Sequence, residues 1–392
     1  MGVSLIDTPP ISVLWSKVAY FVFIRYTAFE TKRKAMKQLI KPNRLKTGDL
    51  VATVSLSSGM AGKIPGRYEY GKKQFEETFG VKIVEMPNSL KTDELYNNPQ
   101  LRLDDLMMAV KDPSIKAILT NIGGDDTVRL LRHMTDEHFE IIRNNPKIFL
   151  GMSDTTANHL MFFHAGVSSF YSASLMFGYG ENCGIPKIMI ENTKKTLFDN
   201  SPIGILPQSD EYIVDKVYWD DKNDVLRKRT KTDGWHFIQG KKPVQGRLLG
   251  GCMELLAMTN GTRIWPTMED WKGAILFVED SEIRATPEQF GDFLRNLGAT
   301  GILENLNGIL FGRPGGEFSA SKETERDKWL SIYPRFEEYL IKVCAECGRS
   351  DMPIITNMDF GHTVPQIILP YGALTEIDPL NKTVSILESG VL

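Results

Sequence analysis

Short apolar runs alternate with longer amphipathic stretches through the first half of the chain. The apolar runs predict strands over residues 50–55, 81–86, 116–122 and 148–153. The stretches beside them predict helices over residues 68–79, 98–110, 127–134 and 155–165. Strands and helices that alternate at this spacing indicate a parallel sheet covered on both faces. Functional residues are therefore expected at the carboxyl ends of the strands.

The pattern changes near residue 187 and again near residue 246. Residues 187–245 are polar and irregular, which predicts a linker followed by short strands. A second apolar unit then has predicted strands over residues 274–280, 308–312 and 352–361, a helix over residues 287–297 and a final hairpin near residues 373–388. The expected regions are an N-terminal extension (1–38), an α/β domain (39–186), the linker segment (187–245) and a C-terminal domain (246–392).

The N-terminal extension contains one apolar stretch, residues 13–24, which Lys17 interrupts. Twelve residues are too few to cross a bilayer as a helix. The stretch also lacks the basic region before it and the small-residue cleavage site after it that a signal peptide has. We therefore expect no membrane span, and we expect residues 1–38 to lie outside the fold.

Net charge and cysteine content argue against several functional classes of protein. The chain has 392 residues and a net charge of −3, so no general attraction to nucleic acid or to an anionic membrane is expected. Four cysteines form no disulfide framework at this length, which favours a reducing compartment, the cytoplasm. The lone Cys344-Ala-Glu-Cys347 pair has no second ligand pair, so a metal site is not expected.

One segment, Ile118-Leu-Thr-Asn-Ile-Gly-Gly-Asp-Asp-Thr127-Val-Arg-Leu-Leu131, is typical of a strand that turns at a glycine pair and continues as a helix. This is the arrangement of a nucleophile elbow, with Thr127 at the nucleophile position. Thr127 is also a good N-cap residue, as are Asp125 and Asp126. The pattern leaves both interpretations open.

Two further strand ends carry reactive side chains. Glu279 follows the run Ile-Leu-Phe-Val, and His362 follows a predicted strand. A hydroxyl, an imidazole and a carboxylate are what acyl transfer requires, because a base must take the hydroxyl proton and needs a partner to orient it. A solvated strand end at Glu279 and a structural role for His362 remain the alternatives on residue types alone.

The chain resembles the serine peptidase family of murein LD-carboxypeptidases and microcin C immunity proteins. The resemblance covers residues 39–388 and is carried by Lys41-Pro-Asn-Arg-Leu-Lys-Thr-Gly-Asp-Leu-Val, Asp112-Pro-Ser-Ile-Lys-Ala-Ile, Gly123-Gly-Asp-Asp-Thr-Val-Arg-Leu-Leu131, Gly151-Met-Ser-Asp-Thr-Thr156, Gly246-Arg-Leu-Leu-Gly-Gly251, Ile275-Leu-Phe-Val-Glu-Asp-Ser281 and Phe360-Gly-His-Thr-Val-Pro365. It implies an N-terminal doubly wound parallel-sheet domain and a C-terminal β-rich α/β domain with the active site between them. It also implies a homodimer that needs no metal or cofactor.

The same resemblance implies that His362 is the general base, Glu279 its partner and Thr127 the residue in the serine position. The extra methyl of threonine restricts its side chain and crowds the carbon under attack. The leading hypothesis is a hydrolase that cleaves an amide bond in a peptide or a peptidyl or aminoacyl nucleotide. The alternative is an impaired homologue that only binds such a ligand. A dinucleotide-binding oxidoreductase is disfavoured, because the Gly123 segment lacks the GxGxxG spacing.

Several residues are expected to support this chemistry. The amides of Gly124 and Val128 are the predicted oxyanion donors, by elbow geometry. Candidate substrate-binding residues are Asp126, Ser153, Asp154, Trp219 and Trp235. The tryptophans and Tyr218 would offer an aromatic platform for a nucleotide base, although packing at the junction between the domains is the favoured reading for them.

Overall fold

The computed structural model describes residues 38–214, 223–281, 285–314 and 323–392, with the backbone alone for 323–330. The predicted extension up to residue 37 and the candidates Trp219 and Tyr218 lie outside the described residues. In chain order the described strands are β1 Leu50–Val54, β2 Lys82–Glu85, β3 Ile115–Thr120, β4 Ile148–Gly151, β5 Phe170–Tyr171, β6 Gly204–Ile205, β7 Glu211–Tyr212, β8 Thr230–Lys231, β9 His236–Gln239, β10 Val244–Cys252, β11 Ile275–Glu279, β12 Gly308–Gly312, β13 Ile354–Met358, β14 Leu369–Pro370, β15 Leu374–Asp378 and β16 Thr383–Ile386.

The helices cover both sheets and connect their parallel strands. In chain order the described α-helices are α1 Met60–Lys63, α2 Pro65–Phe79, α3 Asp93–Asn97, α4 Gln100–Lys111, α5 Asp136–Asn144, α6 Thr156–Ala165, α7 Lys187–Thr193, α8 Met253–Thr259, α9 Met268–Trp271, α10 Pro287–Ala299, α11 Ile302–Asn305 and α12 Glu323–Glu346. Shorter pieces are two 3₁₀ segments, Thr127–Arg132 and Ser153–Thr155, and a π-helical turn, Lys194–Phe198. No described helix is long and apolar enough to cross a membrane.

The N-terminal sheet has the order β14-β5-β4-β3-β1-β2. Strands β1 to β5 are parallel, and β14 joins the edge antiparallel to β5. The central strands β3 and β4 are buried almost throughout, as expected when helices cover both faces of a parallel sheet. The N-terminal half of the chain therefore has the predicted α/β organisation.

The second sheet has the order β6-β16-β15-β10-β11-β12-β13-β9, with β10 to β13 parallel and the outer strands antiparallel. The long strand β10 pairs with β15 through its first half and with β11 through its second. A side chain at Gly250 would place its Cβ 1.7 Å from the carbonyl oxygen of Phe277, so β10 and β11 approach as closely as they do only with glycine there.

The two sheets confirm the expected fold class, a parallel-sheet α/β domain followed by a second domain richer in strands. One detail adds to the expectation and one differs from it. Strands β6 and β9, which fall within the segment predicted as a linker followed by short strands, form the two edges of the second sheet. The helix predicted after Gly124 is a 3₁₀ segment followed by the separate helix α5.

Candidate active site

A strained turn at Ser153 forms the centre of the site. Strand β4 ends at Gly151, and a 3₁₀ turn leads directly into α6. Ser153 has φ = 57°, a left-handed conformation that is uncommon outside glycine and is often found at functional sites. A Cβ at Gly151 would lie 2.5 Å from Thr120 Oγ1 and 2.6 Å from Thr155 Oγ1. This strand–turn–helix geometry is that of a nucleophile elbow.

Three side chains form a continuous hydrogen-bonded chain at this turn. Ser153 Oγ lies 2.9 Å from His362 Nε2, and His362 Nδ1 lies 2.7 Å from Glu279 Oε2. Glu279 is fully buried, and His362 is 9% exposed. A neutral imidazole that donates from Nδ1 to the carboxylate presents Nε2 as an acceptor for the serine proton. The arrangement is therefore suited to remove that proton during nucleophilic attack.

A tyrosine connects the two ends of this chain. The hydroxyl of Tyr171 donates to Glu279 Oε1 at 2.5 Å and accepts from the backbone N–H of Ser153 at 3.0 Å. Burial raises the pKa of Tyr171 well above its usual range, so its hydroxyl stays protonated and remains a donor. Both oxygens of Glu279 are thus occupied, which fixes its orientation toward His362.

A second histidine near the elbow has a different role. His159 lies on α6, with Nε2 2.9 Å from the carbonyl oxygen of Gly151 and Nδ1 2.8 Å from Ser169 Oγ. Burial lowers the pKa of His159 to about 3, so the ring is neutral at physiological pH. His159 therefore stabilises the backbone of the elbow through its hydrogen bond to Gly151.

The hydroxyl that faces His362 belongs to Ser153 and not to Thr127, the residue at the predicted nucleophile position. Thr127 is fully buried, its amide donates to Asp154 Oδ2 at 2.8 Å, and its hydroxyl contacts the same oxygen and the carbonyl oxygen of Leu56. Burial raises the pKa of Asp154, a shift that hydrogen bonds from Ser57 and Thr127 oppose. Thr127 starts the 3₁₀ segment with its side chain turned inward.

A cavity of about 220 Å³ opens beside the elbow. Its lining combines an apolar wall with small polar groups, namely Ser58, Met60, Ile122, Gly123, Gly124, Met152, Ser153, Ser174, Phe177 and His362. Of the two predicted oxyanion donors, Gly124 lines the cavity. Val128, which follows Thr127 in the 3₁₀ segment, is not part of the lining.

Comparisons with known proteins identify the family to which the chain belongs. The model of the LD-carboxypeptidase N-terminal domain matches residues 51–172, and that of the LD-carboxypeptidase C-terminal domain matches residues 245–377. Together these matches cover well over half of the chain.

The chain belongs to the LD-carboxypeptidase family.

Two curated relatives match the chain along nearly their whole length. The chain is 28% identical over 349 residues to the microcin C7 self-immunity protein MccF of Escherichia coli, which covers 88% of the chain and 94% of that protein. It is 28% identical over 354 residues to the "Probable murein peptide carboxypeptidase" of Bacillus subtilis, with 90% and 95% covered. A crystal structure of an MccF-like protein from Streptococcus pneumoniae in complex with AMP has a TM-score of 0.74 and 28% identity, and the match covers 86% of this chain and 98% of that one. The family places the chain among peptidase-type hydrolases.

Two of the other predicted substrate-binding residues, Asp126 and Trp235, are not part of the cavity lining in this LD-carboxypeptidase family member. Both carboxylate oxygens of Asp126 bond Arg102, at 2.5 and 3.1 Å, and one also pairs with Arg129 at 2.7 Å. Trp235 is buried, and its Nε1 donates to Asp359 Oδ2 at 2.8 Å. The polar groups of both side chains thus bond other residues of the protein. For Trp235, these contacts support a role in packing.

A signal for Ser153 was present in the sequence. The Gly151-Met-Ser153 triplet has the glycine two residues before the serine, and a predicted strand ends and a predicted helix begins around it. The predictions placed Ser153 among the substrate-binding residues, since the glycine pair before Thr127 was the more conspicuous feature. Among the described residues no group of three or more potential ligand side chains is arranged to hold a metal ion.

Proposed function

We propose that this protein is a serine-type hydrolase that cleaves an amide bond through an acyl-enzyme intermediate on Ser153. The observation that carries the proposal is the hydrogen-bonded chain from Ser153 through His362 to Glu279. Ser153 takes the nucleophile role that the sequence suggested for Thr127, and the roles expected for His362 and Glu279 are unchanged.

The reaction follows from these positions. Ser153 Oγ attacks the carbonyl carbon while its proton passes to His362 Nε2, and the carbonyl electron pair moves onto oxygen. When that oxyanion collapses, the C–N bond breaks, and His362 gives the proton to the leaving nitrogen. Water then attacks the ester with the same base, and Ser153 leaves with the proton. Glu279 stabilises the imidazolium that forms twice in this cycle.

The oxyanion donors we propose are the amides of Gly124 and Asp154. Asp154 follows the nucleophile directly, the usual position for one donor at an elbow. The carbonyl oxygen of Gly123 accepts from the amide of Ser58 at 3.2 Å. Because a trans peptide directs its C=O and N–H to opposite sides, the Gly124 N–H points away from Ser58. Val128 is no longer needed as a donor.

The cavity supports a small substrate with an apolar group near the scissile bond. Met60, Ile122, Met152 and Phe177 supply apolar surface, and the described lining contains no lysine or arginine. A peptide amide, as in murein tetrapeptides, is the first candidate. An aminoacyl or peptidyl nucleotide is the second, favoured by the similarity to the microcin C7 self-immunity protein and to the MccF-like protein that binds AMP.

The binding-only alternative rested on a threonine at the nucleophile position. Under the present proposal a serine occupies that position, within reach of its base, so that argument no longer applies. Hydrolysis is therefore the function the geometry supports best.

The test is turnover by purified protein of a murein L,D-tetrapeptide and of an aminoacyl-sulfamoyl adenosine, with release of the terminal amino acid followed by mass spectrometry. The expected result is cleavage of at least one compound, reduced by a factor of about 10³ or more in Ser153→Ala. Thr193→Val, which removes a buried hydroxyl outside the cavity, serves as the control. Full activity of Ser153→Ala, or cleavage of neither compound, would contradict the proposal.

A further inference from the structure

The turn over residues 123–127 lies directly against the proposed nucleophile. A Cβ on Gly123 would be 3.0 Å from the Cβ of Ser153 and 3.2 Å from its Oγ. The backbone of the turn is therefore in contact with the reacting side chain. A displacement of less than about 1 Å would misplace any amide in the turn that serves the reaction, because transition-state donors act only at hydrogen-bond distance.

One buried carboxylate holds the end of this turn. Asp154 Oδ2 accepts from the amide of Asp126 at 3.1 Å, from the amide of Thr127 at 2.8 Å, and from the hydroxyl of Thr127. Asp154 is fully buried and immediately follows Ser153. The side chain that holds the turn thus belongs to the residue next to the proposed nucleophile. The position of the turn is therefore linked to the position of Ser153.

The start of the turn is held from the opposite side. The amide of Ser58 donates to the carbonyl oxygen of Gly123, and the hydroxyl of Thr127 also lies 3.3 Å from the carbonyl oxygen of Leu56. A Cβ on Gly124 would lie 2.1 Å from Ser57 Oγ, so the turn is packed tightly on this side as well. The Gly124 peptide is thereby fixed between the segment after β1 and the elbow after β4.

We propose that Thr127 and Asp154 form a clamp that sets the Gly124 amide at the distance an oxyanion requires. Thr127 is a positioning residue in this arrangement, and its hydroxyl acts through the turn and never touches the substrate. The inference rests on the proposed function, since it assigns a part in the same hydrolysis. It also explains why a hydroxyl is buried at position 127. The Asp154 carboxylate accepts two hydrogen bonds from backbone amides of the turn, and the Thr127 hydroxyl donates a third.

Two substitutions separate the hydroxyl from the rest of the side chain. Thr127→Val keeps the shape and removes the donor, whereas Thr127→Ser keeps the donor and removes a methyl group. The probe is a fluorophosphonate, which reports on the nucleophile and the oxyanion site without a natural substrate. The Ser153 Oγ–P bond forms as the P–F bond breaks, fluoride leaves with the electron pair, and the serine proton passes to His362.

The measurement is the saturation kinetics of labelling in the full-length protein, with the labelled residue identified by peptide mass spectrometry. We expect Thr127→Val to lower the maximal labelling rate about 10- to 100-fold while the half-saturating probe concentration stays within about twofold, because the loss affects the transition state. Thr127→Ser should stay within about threefold of wild type on the same reasoning. Thr193→Val, which loses a buried hydroxyl bonded to Tyr179, controls for general loosening and should label normally.

The outcomes separate this inference from the proposed function. If wild type labels at Ser153 and Thr127→Val labels equally fast, the clamp is wrong and the nucleophile stands. An equal slowing in Thr127→Ser or in Thr193→Val would also overturn the clamp, because then the hydroxyl at 127 is not the cause. If the label on wild type is found at Thr127, or fails to attach at Ser153, the proposed function itself fails.

Discussion

Two turns at the same edge of the N-terminal sheet have similar sequences and different structures. One follows β3 and contains Gly123 and Thr127, and the other follows β4 and contains Gly151 and Ser153. Each presents a hydroxyl residue at the start of a helical segment. Ser153 has a φ of 57°, whereas Thr127 is not among the residues with positive φ. The hydroxyl of Ser153 is hydrogen-bonded to His362, and that of Thr127 is hydrogen-bonded to the buried Asp154.

The comparison shows which backbone property separates the proposed nucleophile, Ser153, from Thr127. A strand end followed by a hydroxyl residue occurs in both turns, so position alone does not distinguish them. A left-handed backbone is costly for any side chain and most costly for a β-branched one. Serine is therefore better suited than threonine to the strained position, and threonine is better suited to a buried, hydrogen-bonded one.

The largest difference in kcat is expected between substitutions of two carboxylates, Glu279 beside His362 and Asp154 beside Thr127. Glu279→Gln should lower kcat about 10³- to 10⁴-fold, because an amide no longer stabilises the imidazolium or fixes its tautomer. Asp154→Asn should lower kcat only about 10-fold, since one amide oxygen can still accept from the turn while the amide nitrogen cannot.

Steady-state kinetics on the substrate found for wild type will measure both values. Thermal unfolding provides the control, because a change in fold would lower the unfolding temperature as well as the rate. A larger loss for Asp154→Asn than for Glu279→Gln would reverse the assignment of the two turns.

A reciprocal exchange of the two hydroxyl residues tests the comparison directly. Ser153→Thr should lower kcat/KM about 10²-fold and destabilise the fold by about 1 kcal/mol, because a β-branched residue is forced into the left-handed region. Thr127→Ser should stay within about threefold of wild type. If Thr127 were the nucleophile, Thr127→Ser would instead raise activity and Ser153→Thr would matter little.

Much of the fold was predictable from the sequence, and the site was predictable in part. The apolar runs at β1, β3 and β4 are buried in a parallel sheet, so their pattern carries the N-terminal fold. Glu279 ends a strand, His362 follows another, and their side chains meet in the structure. Ser153 also lies at a predicted strand end, but strand ends alone did not separate it from Thr127, because the two residues differ in a backbone angle.

The bounds of the two edge strands and their place in the second sheet were harder to anticipate for a different reason. Strands β6 and β9 have two and four residues, too few for an alternating pattern to define where each begins and ends. Their place is set by pairing with strands far along the chain, β16 and β13. Packing of this kind is decided by tertiary contacts rather than by local pattern.

A smaller effect is expected from crowding the turn beside Ser153. Gly124→Ala places a Cβ 2.1 Å from Ser57 Oγ and 2.9 Å from the amide nitrogen of Ser58, so the turn must shift. We expect kcat to fall about 10-fold, because the oxyanion donor moves with the turn. Gly48→Ala is the matched control, since Gly48 has φ = 87° and no atom within 4 Å of the added Cβ.

Both variants carry a cost for the positive φ, which circular dichroism melting will show as a lowered unfolding temperature. Only Gly124→Ala should also lose activity. Equal activity in the two variants would mean that the turn does not position a catalytic donor.

The smallest change in activity is expected at Asp126, which is part of the same turn and was predicted to bind substrate. Its carboxylate pairs with Arg102, which is 1% exposed, and with Arg129. Asp126→Asn should reduce the free energy of unfolding by about 2 kcal/mol, because it leaves the buried guanidinium without its counter-charge. The exposed pair of Asp292 and Arg295 gives the control, and Asp292→Asn should change stability by less than about 0.5 kcal/mol.

Urea unfolding measures both differences in stability, and the catalytic efficiency of each variant should stay within about threefold of wild type. Weaker substrate binding by Asp126→Asn, seen as a KM raised about 10-fold or more at unchanged kcat, would contradict this expectation. Such a result would support the sequence-based prediction that Asp126 binds substrate. The turn after β3 would then bind ligand as well as support the elbow.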